Sequence, residues 1–119
     1  MKLTLVIGAS LKPSRYSNLA IHRLVQNNIE VKAIGLREGT VAGISIVKEK
    51  IPFDDIHTIT LYLNASRQKE YYDYIISLNP KRVVFNPGTE NIELYSLLKE
   101  HNIDFEEACT LVLLGTNQY

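Results

Sequence analysis

The residues best suited to chemistry in this sequence come directly after its first apolar segment. Leu3 to Ile7 is apolar except for Thr4 and is followed by three small residues, Gly8, Ala9 and Ser10. A buried strand, a tight turn and a helix start together form an anion site, because the backbone N–H groups of a first helical turn are unpaired and the helix dipole is positive there. The pattern predicts a phosphate cradle. The alternative is that Gly8 only allows the chain to turn sharply.

Two cations and a helix start lie beside this turn. Lys12 and Arg15 are placed to attract an anion. A helix is expected to begin near Tyr16, with Ser14 or Ser17 as its N-cap. Tyr16 and Ser17 therefore belong to the candidate site.

A second turn repeats the pattern. The expected strand at residues 82–85 is followed by Asn86, Pro87, Gly88 and Thr89, and Thr89 is the expected N-cap of the next helix. Two such turns on adjacent strands would face each other across one crevice. Two helix N-termini directed at one cleft favour the phosphate interpretation over a simple connection.

Four alternations of strand and helix predict an α/β fold with a doubly wound parallel sheet of about five strands. The expected strands are residues 3–7, 30–34, 58–63, 82–85 and 103–106, and the expected helices begin near residues 16, 66 and 89. Ser66 is the expected N-cap of the second helix. Residues 35–55 read equally as a functional loop and as a solvated crossover, with a short edge strand at 44–47. Residues 109–114 are apolar throughout, which fits a strand or a helix.

In such sheets ligands bind beyond the carboxyl ends of the strands. That rule selects residues 8–16, 35–43, 63–67 and 86–90 as the candidate binding segments.

Composition excludes several function classes. Thirteen basic residues balance thirteen acidic ones in 119 residues, so no bulk field recruits nucleic acid or an acidic membrane surface. No apolar run approaches the ~20 residues of a membrane span. The single cysteine, together with a first strand that leaves no room for a signal peptide, predicts a cytoplasmic protein with one domain over residues 1–119.

The first turn matches neither of two common nucleotide fingerprints. A dinucleotide motif needs glycine where Ser10 and Pro13 stand, and a triphosphate loop needs a Gly-Lys-Ser/Thr ending. After the second strand, Gly35 is followed by Leu36 and Arg37 where an NAD site would place an acid. An arginine there favours a phosphorylated ribose, which both coenzyme A and NADP carry.

These residues carry a family resemblance along essentially the whole chain. The matching segments are Gly8-Ala-Ser10 with residues 15–18, residues 58–64, residues 80–91 and residues 109–114. They resemble the small stand-alone CoA-binding domain proteins, which are similar to the CoA-binding Rossmann domain of the succinyl-CoA synthetase α subunit. The resemblance implies a Rossmann-like domain that binds CoA, acyl-CoA or a related adenine nucleotide.

The resemblance also assigns roles to individual residues. It implies that Gly8, Ala9, Ser10 and Arg15 hold phosphate. It implies that residues 35–43 and the pair Leu63 and Asn64 lie along the adenosine, while Asn86, Pro87 and Gly88 border the pantetheine path. The synthetase continues into a domain with a phosphorylated histidine that this sequence lacks, so no ligase activity is expected of this chain alone.

The leading functional hypothesis is non-catalytic binding of CoA or acyl-CoA, as a sensor or a partner-docking module. The alternatives are a subunit of a CoA-transferring enzyme or a small NADP-type oxidoreductase, and a scaffold that keeps only the fold. No nucleophile–base pair is evident, so no catalytic residue is assigned. The three histidines are scattered and predict no metal site. Tyrosines at 71, 72 and 74 are expected to divide between core and surface; an exposed pair of them would instead mark a homodimer contact, and an unknown protein partner is a further alternative.

Overall fold

The first apolar segment forms the central strand of the sheet, with a parallel neighbour on each side. The computed structural model describes residues 2–119. Its strands are β1 (Thr4–Ala9), β2 (Val31–Gly35), β3 (Gly39–Val41), β4 (Ile44–Val47), β5 (Thr58–Leu61), β6 (Arg82–Phe85) and β7 (Asp104–Glu107). They are ordered β3-β4-β2-β1-β5-β6-β7. Helices cover both faces, so a central strand must be apolar on both sides, as β1 is.

The helices connect the strands in the expected alternation. They are α1 (Tyr16–Gln26), α2 (Ala65–Gln68), α3 (Tyr72–Leu78), α4 (Ile92–Glu100) and α5 (Thr110–Gly115), with a 3-10 turn (Lys69–Tyr71) between α2 and α3. The apolar residues 109–114, which fitted a strand or a helix equally, lie mostly in α5. No helix within residues 2–119 is long and apolar enough to cross a bilayer.

The sheet has seven strands, where the sequence predicted about five. β3 and β4 form a hairpin inside the stretch that read as irregular, and β4 pairs with β2 in parallel. The expected edge strand at 44–47 is therefore internal, and β3 is the edge. The hairpin turns through Ala42 and Gly43, whose φ angles of 51° and 80° are both positive. A two-residue turn of this kind matches the twist of paired strands. The strands it joins are too short to show a periodic signal.

The core is divided between the two faces of the sheet, because successive side chains of a strand point to opposite sides. Leu5 and Ile7 of β1 pack in a cluster with Tyr74, Ile75 and residues of α4. Val6 of β1 packs on the other face in a cluster with residues of α1. Tyr71 and Tyr74 are buried and Tyr72 is half-buried, so the tyrosines at these positions do not form an exposed dimer patch.

Three helix caps differ from those expected. The residue preceding α1 is Arg15, and no side chain caps that helix, although Ser14 or Ser17 was expected to. Ser17 is buried within the first turn, which takes its hydroxyl away from the cap position. Asn64 caps α2 by accepting a hydrogen bond from the N–H of Arg67 at 3.0 Å, in place of the expected Ser66.

Asn91 caps α4 in place of the expected Thr89. Its Oδ1 accepts a hydrogen bond from the N–H of Leu94 at 3.2 Å, and the helix begins at Ile92. The Thr89 hydroxyl instead donates to the carbonyl oxygen of Asn86 at 2.7 Å. Thr89 thus closes the turn itself, and the helix starts three residues later than the sequence pattern indicated.

We predict that Gly35→Ala lowers the free energy of unfolding by about 3 kcal/mol, the upper part of the range for overpacking. A Cβ at Gly35 would lie 2.3 Å from the carbonyl oxygen of Ala9, a backbone atom that cannot move aside alone. Urea denaturation measures the change. Gly115→Ala is the matched control, since a Cβ there meets nothing within 4 Å. Equal stability of the two variants would contradict the close approach of β1 and β2.

Candidate functional site

The turn after β1 is shaped by a close approach of two strand ends. Gly8 has a φ of +95°, and a Cβ there would lie 3.0 Å from the carbonyl carbon of Tyr62 and 3.1 Å from the side chain of Leu63. A glycine is required for both reasons. The pairing of β1 with β2 also shifts register between Ile7 and Ala9. Gly8 therefore interrupts the regular pairing of β1, and the strand ends one residue later at Ala9, which pairs with Gly35.

The turn is held by its own polar groups. The hydroxyl of Ser10 accepts a hydrogen bond from the N–H of Lys12 at 3.1 Å, and its carbonyl accepts one from Nδ2 of Asn18 at 2.9 Å. The N–H groups of Tyr16 and Ser17 have no acceptor within residues 2–119. The start of α1 therefore presents free donors and the positive end of its dipole.

The strand ends enclose a cleft of about 730 Å³. It brings together nearly all the residues predicted for the site: Gly8, Ala9, Ser10, Lys12, Arg15, Tyr16, Ser17, Gly35, Arg37, Leu63, Asn64, Pro87, Gly88 and Thr89. It is also lined by Leu11, Leu36 and Arg67, which lie in the segments that the sheet-edge rule had selected but were not singled out individually. Three further lining residues lie outside those segments and were not predicted: Tyr62, Glu70 and Tyr71.

The charges in the cleft are mainly positive. Lys12, Arg15, Arg37 and Arg67 are exposed cations of the lining, and Glu70 is its carboxylate. The whole chain has a formal net charge of zero. The cations are thus gathered locally, which raises the concentration of an anionic ligand at the cleft.

The second turn differs from the first because its anion position is filled. Gly88 has a φ of +91°, and its N–H donates to both carboxylate oxygens of Glu90, at 3.1 and 3.3 Å. Asn91 caps α4 at the N–H of Leu94, and neither Asn91 nor the first two residues of that helix line the cleft. The expectation of two helix N-termini directed at one cleft is therefore wrong, since of the two only the start of α1 lies in it.

Asn86 lies beneath the second turn and outside the cleft lining. It is 3% exposed, and its Nδ2 donates to Oγ1 of Thr60 at 2.6 Å and to the carbonyl of Leu61 at 2.9 Å. Its Oδ1 accepts from the N–H of Thr110 at 2.8 Å. The side chain joins β5, the end of β6 and the start of α5, so its polar atoms are occupied by protein.

The floor of the cleft is uncharged at Tyr62. Burial raises the pKa of Tyr62 to about 12, so its phenol is neutral in the physiological range. Burial also disfavours the charged form of His57, and therefore lowers its pKa; its Nδ1 lies 2.8 Å from Oγ1 of Thr58. No group of three potential metal ligands occurs within the described residues.

The comparisons with known proteins identify a family. The family model described as a CoA binding domain matches residues 2–115. A crystal structure of an uncharacterized protein is 43% identical, with a TM-score of 0.97, covering 100% of this chain and 98% of that one. No curated protein matches the chain significantly.

More distant structures show the same fold. A Thermus thermophilus protein is 18% identical with a TM-score of 0.87, covering 99% of this chain and 90% of that one. A conserved hypothetical protein from Pyrococcus furiosus is also 18% identical, with a TM-score of 0.83, covering 94% of this chain and 98% of that one. A Rossmann-like α/β sheet with flanking helices is therefore common to all of them.

We predict that Asn86→Ala lowers the free energy of unfolding by about 2–4 kcal/mol. The truncation leaves the buried N–H of Thr110 and two buried acceptors without their partner, and each such group costs about 1–3 kcal/mol. Chemical denaturation measures the loss. Asn27→Ala, at the exposed end of α1, is the matched control and is expected to change stability by less than about 1 kcal/mol. Two equally stable variants would show that Asn86 does not hold the strands together.

Proposed function

Since the chain belongs to the family of CoA binding domains, we propose that its cleft holds CoA or acyl-CoA without transforming it. The observation that carries this proposal is the uncapped start of α1, with Lys12 and Arg15 beside it. We further propose that residues 1–119 are a single cytoplasmic domain. It would act as a sensor or as a module that docks on a protein partner or on a second copy of itself.

The phosphate groups fit the β1 side of the cleft. The free N–H groups of Tyr16 and Ser17 would donate to the diphosphate, and Lys12 and Arg15 would neutralise its charge. Arg37 follows β2, where the ribose of a nucleotide lies in such folds, and would pair with the ribose phosphate. This division accounts for three of the four cations that line the cleft.

The uncharged arm of CoA fits the β6 side. The Glu90 carboxylate occupies the N–H of Gly88, so a phosphate placed there would meet a like charge. Pantetheine carries no charge and would pass Pro87 and Gly88 without this penalty. The cleft is thus suited to a ligand whose phosphates are gathered at one end.

NADP is the second candidate, because Arg37 suits its phosphorylated ribose equally well. That ligand would make the protein a small oxidoreductase. A CoA-transferring enzyme that needs another subunit is the corresponding alternative for CoA. The lining combines main chain, apolar side chains, hydroxyl and amide groups, four cations and the carboxylate of Glu70 around the neutral Tyr62, a set suited to retaining a nucleotide.

We predict that CoA raises the melting temperature more than NADP, and NADP more than NAD, at equal concentration. A ligand that binds only the folded state stabilises it by an amount that rises with the logarithm of its affinity. NAD lacks the ribose phosphate that Arg37 would pair with. A thermal-shift series with CoA, acetyl-CoA, NADP and NAD measures the order. A larger shift with NAD than with CoA would overturn the proposal, and a larger shift with NADP would favour the oxidoreductase.

We predict that Arg15→Ala weakens CoA binding by about 1.5–3 kcal/mol, the range for a charged hydrogen bond. Arg37→Ala should weaken binding of CoA but leave dephospho-CoA, which lacks the ribose phosphate, nearly unaffected. Calorimetry with both ligands separates these roles. Arg23→Ala is the control, since Arg23 is exposed in the last turn of α1, outside the cleft lining. Unchanged CoA affinity in either cleft variant would remove that arginine from the site.

A further inference from the structure

Gln68, at the end of α2, is an almost fully buried polar side chain, with 1% exposure. Its Nε2 donates to two backbone carbonyls, those of Leu63 and Thr89, each at 2.8 Å. Its Oε1 accepts a hydrogen bond from Nδ2 of Asn91 at 2.8 Å. Leu63 and Thr89 both line the cleft, on the segments that follow two different strands, β5 and β6. One side chain thus spans two walls of the site.

Asn91 completes the connection. It is 6% exposed, and its Nδ2 also donates to the hydroxyl of Tyr72 at 2.8 Å, while its Oδ1 caps α4 at the N–H of Leu94. Both amide hydrogens and the carbonyl oxygen of Gln68 and of Asn91 therefore have partners. A fully satisfied buried network of this kind fixes the relative position of the segments that it joins.

The two walls need such a connection because the sheet ends before them. β5 ends at Leu61 and β6 at Phe85, so no strand pairing holds the segments that follow. Within the described residues, every hydrogen bond between 62–71 and 87–91 comes from Gln68 or Asn91. α2 has four residues, fewer than an isolated helix needs for stability.

We propose that Gln68 is a positioning residue that sets the distance between the Leu63 wall and the Thr89 wall of the cleft. The inference rests on the proposed function, with pantetheine along the second turn, and adds that adenosine lies along Leu63. Gln68 acts through the two carbonyls and touches no ligand itself. A ligand that spans both walls depends on their spacing, whereas a ligand that contacts one wall does not.

The test compares CoA with adenosine 3′,5′-bisphosphate, the nucleotide end of CoA without its arm. In Gln68→Glu the carboxylate would face two carbonyl oxygens with no hydrogen to donate. We expect the variant to bind CoA about tenfold more weakly than the natural chain, a loss in the range of one to two buried hydrogen bonds. The affinity for the bisphosphate should change by less than about twofold. Isothermal titration calorimetry measures both.

The pH dependence supplies a second readout. Lowering the pH protonates the introduced acid, whose pKa burial raises, and the protonated form again donates to one carbonyl. The CoA affinity of the variant, divided by that of the natural chain at the same pH, should therefore rise towards one as the pH falls. Burial raises the pKa of Tyr72, so the neighbouring phenol stays protonated throughout. Gln26→Glu, which adds the same charge at the exposed end of α1, should show neither effect.

Each outcome decides a different point. Equal losses for CoA and the bisphosphate, or no loss for CoA, would overturn the positioning role while leaving CoA binding intact. If Gln68→Glu does not fold, Asn91→Asp carries the test, because it keeps an acceptor for the N–H of Leu94 and removes the donor to Gln68. The same loss confined to CoA is then expected. A natural chain that binds neither ligand would overturn the proposed function itself.

Discussion

The irregularity at Gly8, one residue before β1 ends, is the constraint on which the cleft depends. The positive φ and the 3.0 Å approach of a Cβ to the backbone of Tyr62 leave room for no other residue there. Gly35 meets the same demand from the other neighbour of β1, at the carbonyl of Ala9. Because both neighbouring segments come so close, the chain leaves the sheet after Ala9, and the first two residues of α1 line the cleft at this edge.

The two turns at this edge look alike in sequence but differ in what they leave free. At the first turn Ser10 and Asn18 hold the loop, so the start of α1 keeps its donors. At the second turn Glu90 takes the N–H of Gly88, and Asn91 caps the helix. An N–H that has a carboxylate partner offers little to a phosphate, because binding would have to break that bond first. The backbone donors that are free to bind a phosphate therefore lie on the β1 side of the cleft and not on its β6 side.

The sequence predicted the elements that have a strong local signal. β1, β6 and the start of α1 follow from apolar runs and from a small-residue turn, and the candidate segments followed from the rule for sheet edges. The hairpin of β3 and β4 has too few residues for a periodic signal, and its pairing with β2 is a long-range event. Caps were mistaken for a related reason: whether Ser66 or Asn64 caps α2 depends on which oxygen reaches an N–H in three dimensions.

Burial separates the polar residues that stabilise the protein from those available to a ligand. Asn86 and Gln68 have the side-chain chemistry of binding residues, yet each is at least 97% buried and fully hydrogen bonded within the protein. The free N–H groups at the start of α1 and the exposed side chain of Arg15 have no such hydrogen bonds within residues 2–119. A phosphate that binds there forms new hydrogen bonds without breaking internal ones. Binding would then add to the stability of the fold, and the buried amides would keep the walls of the cleft in place while it does so.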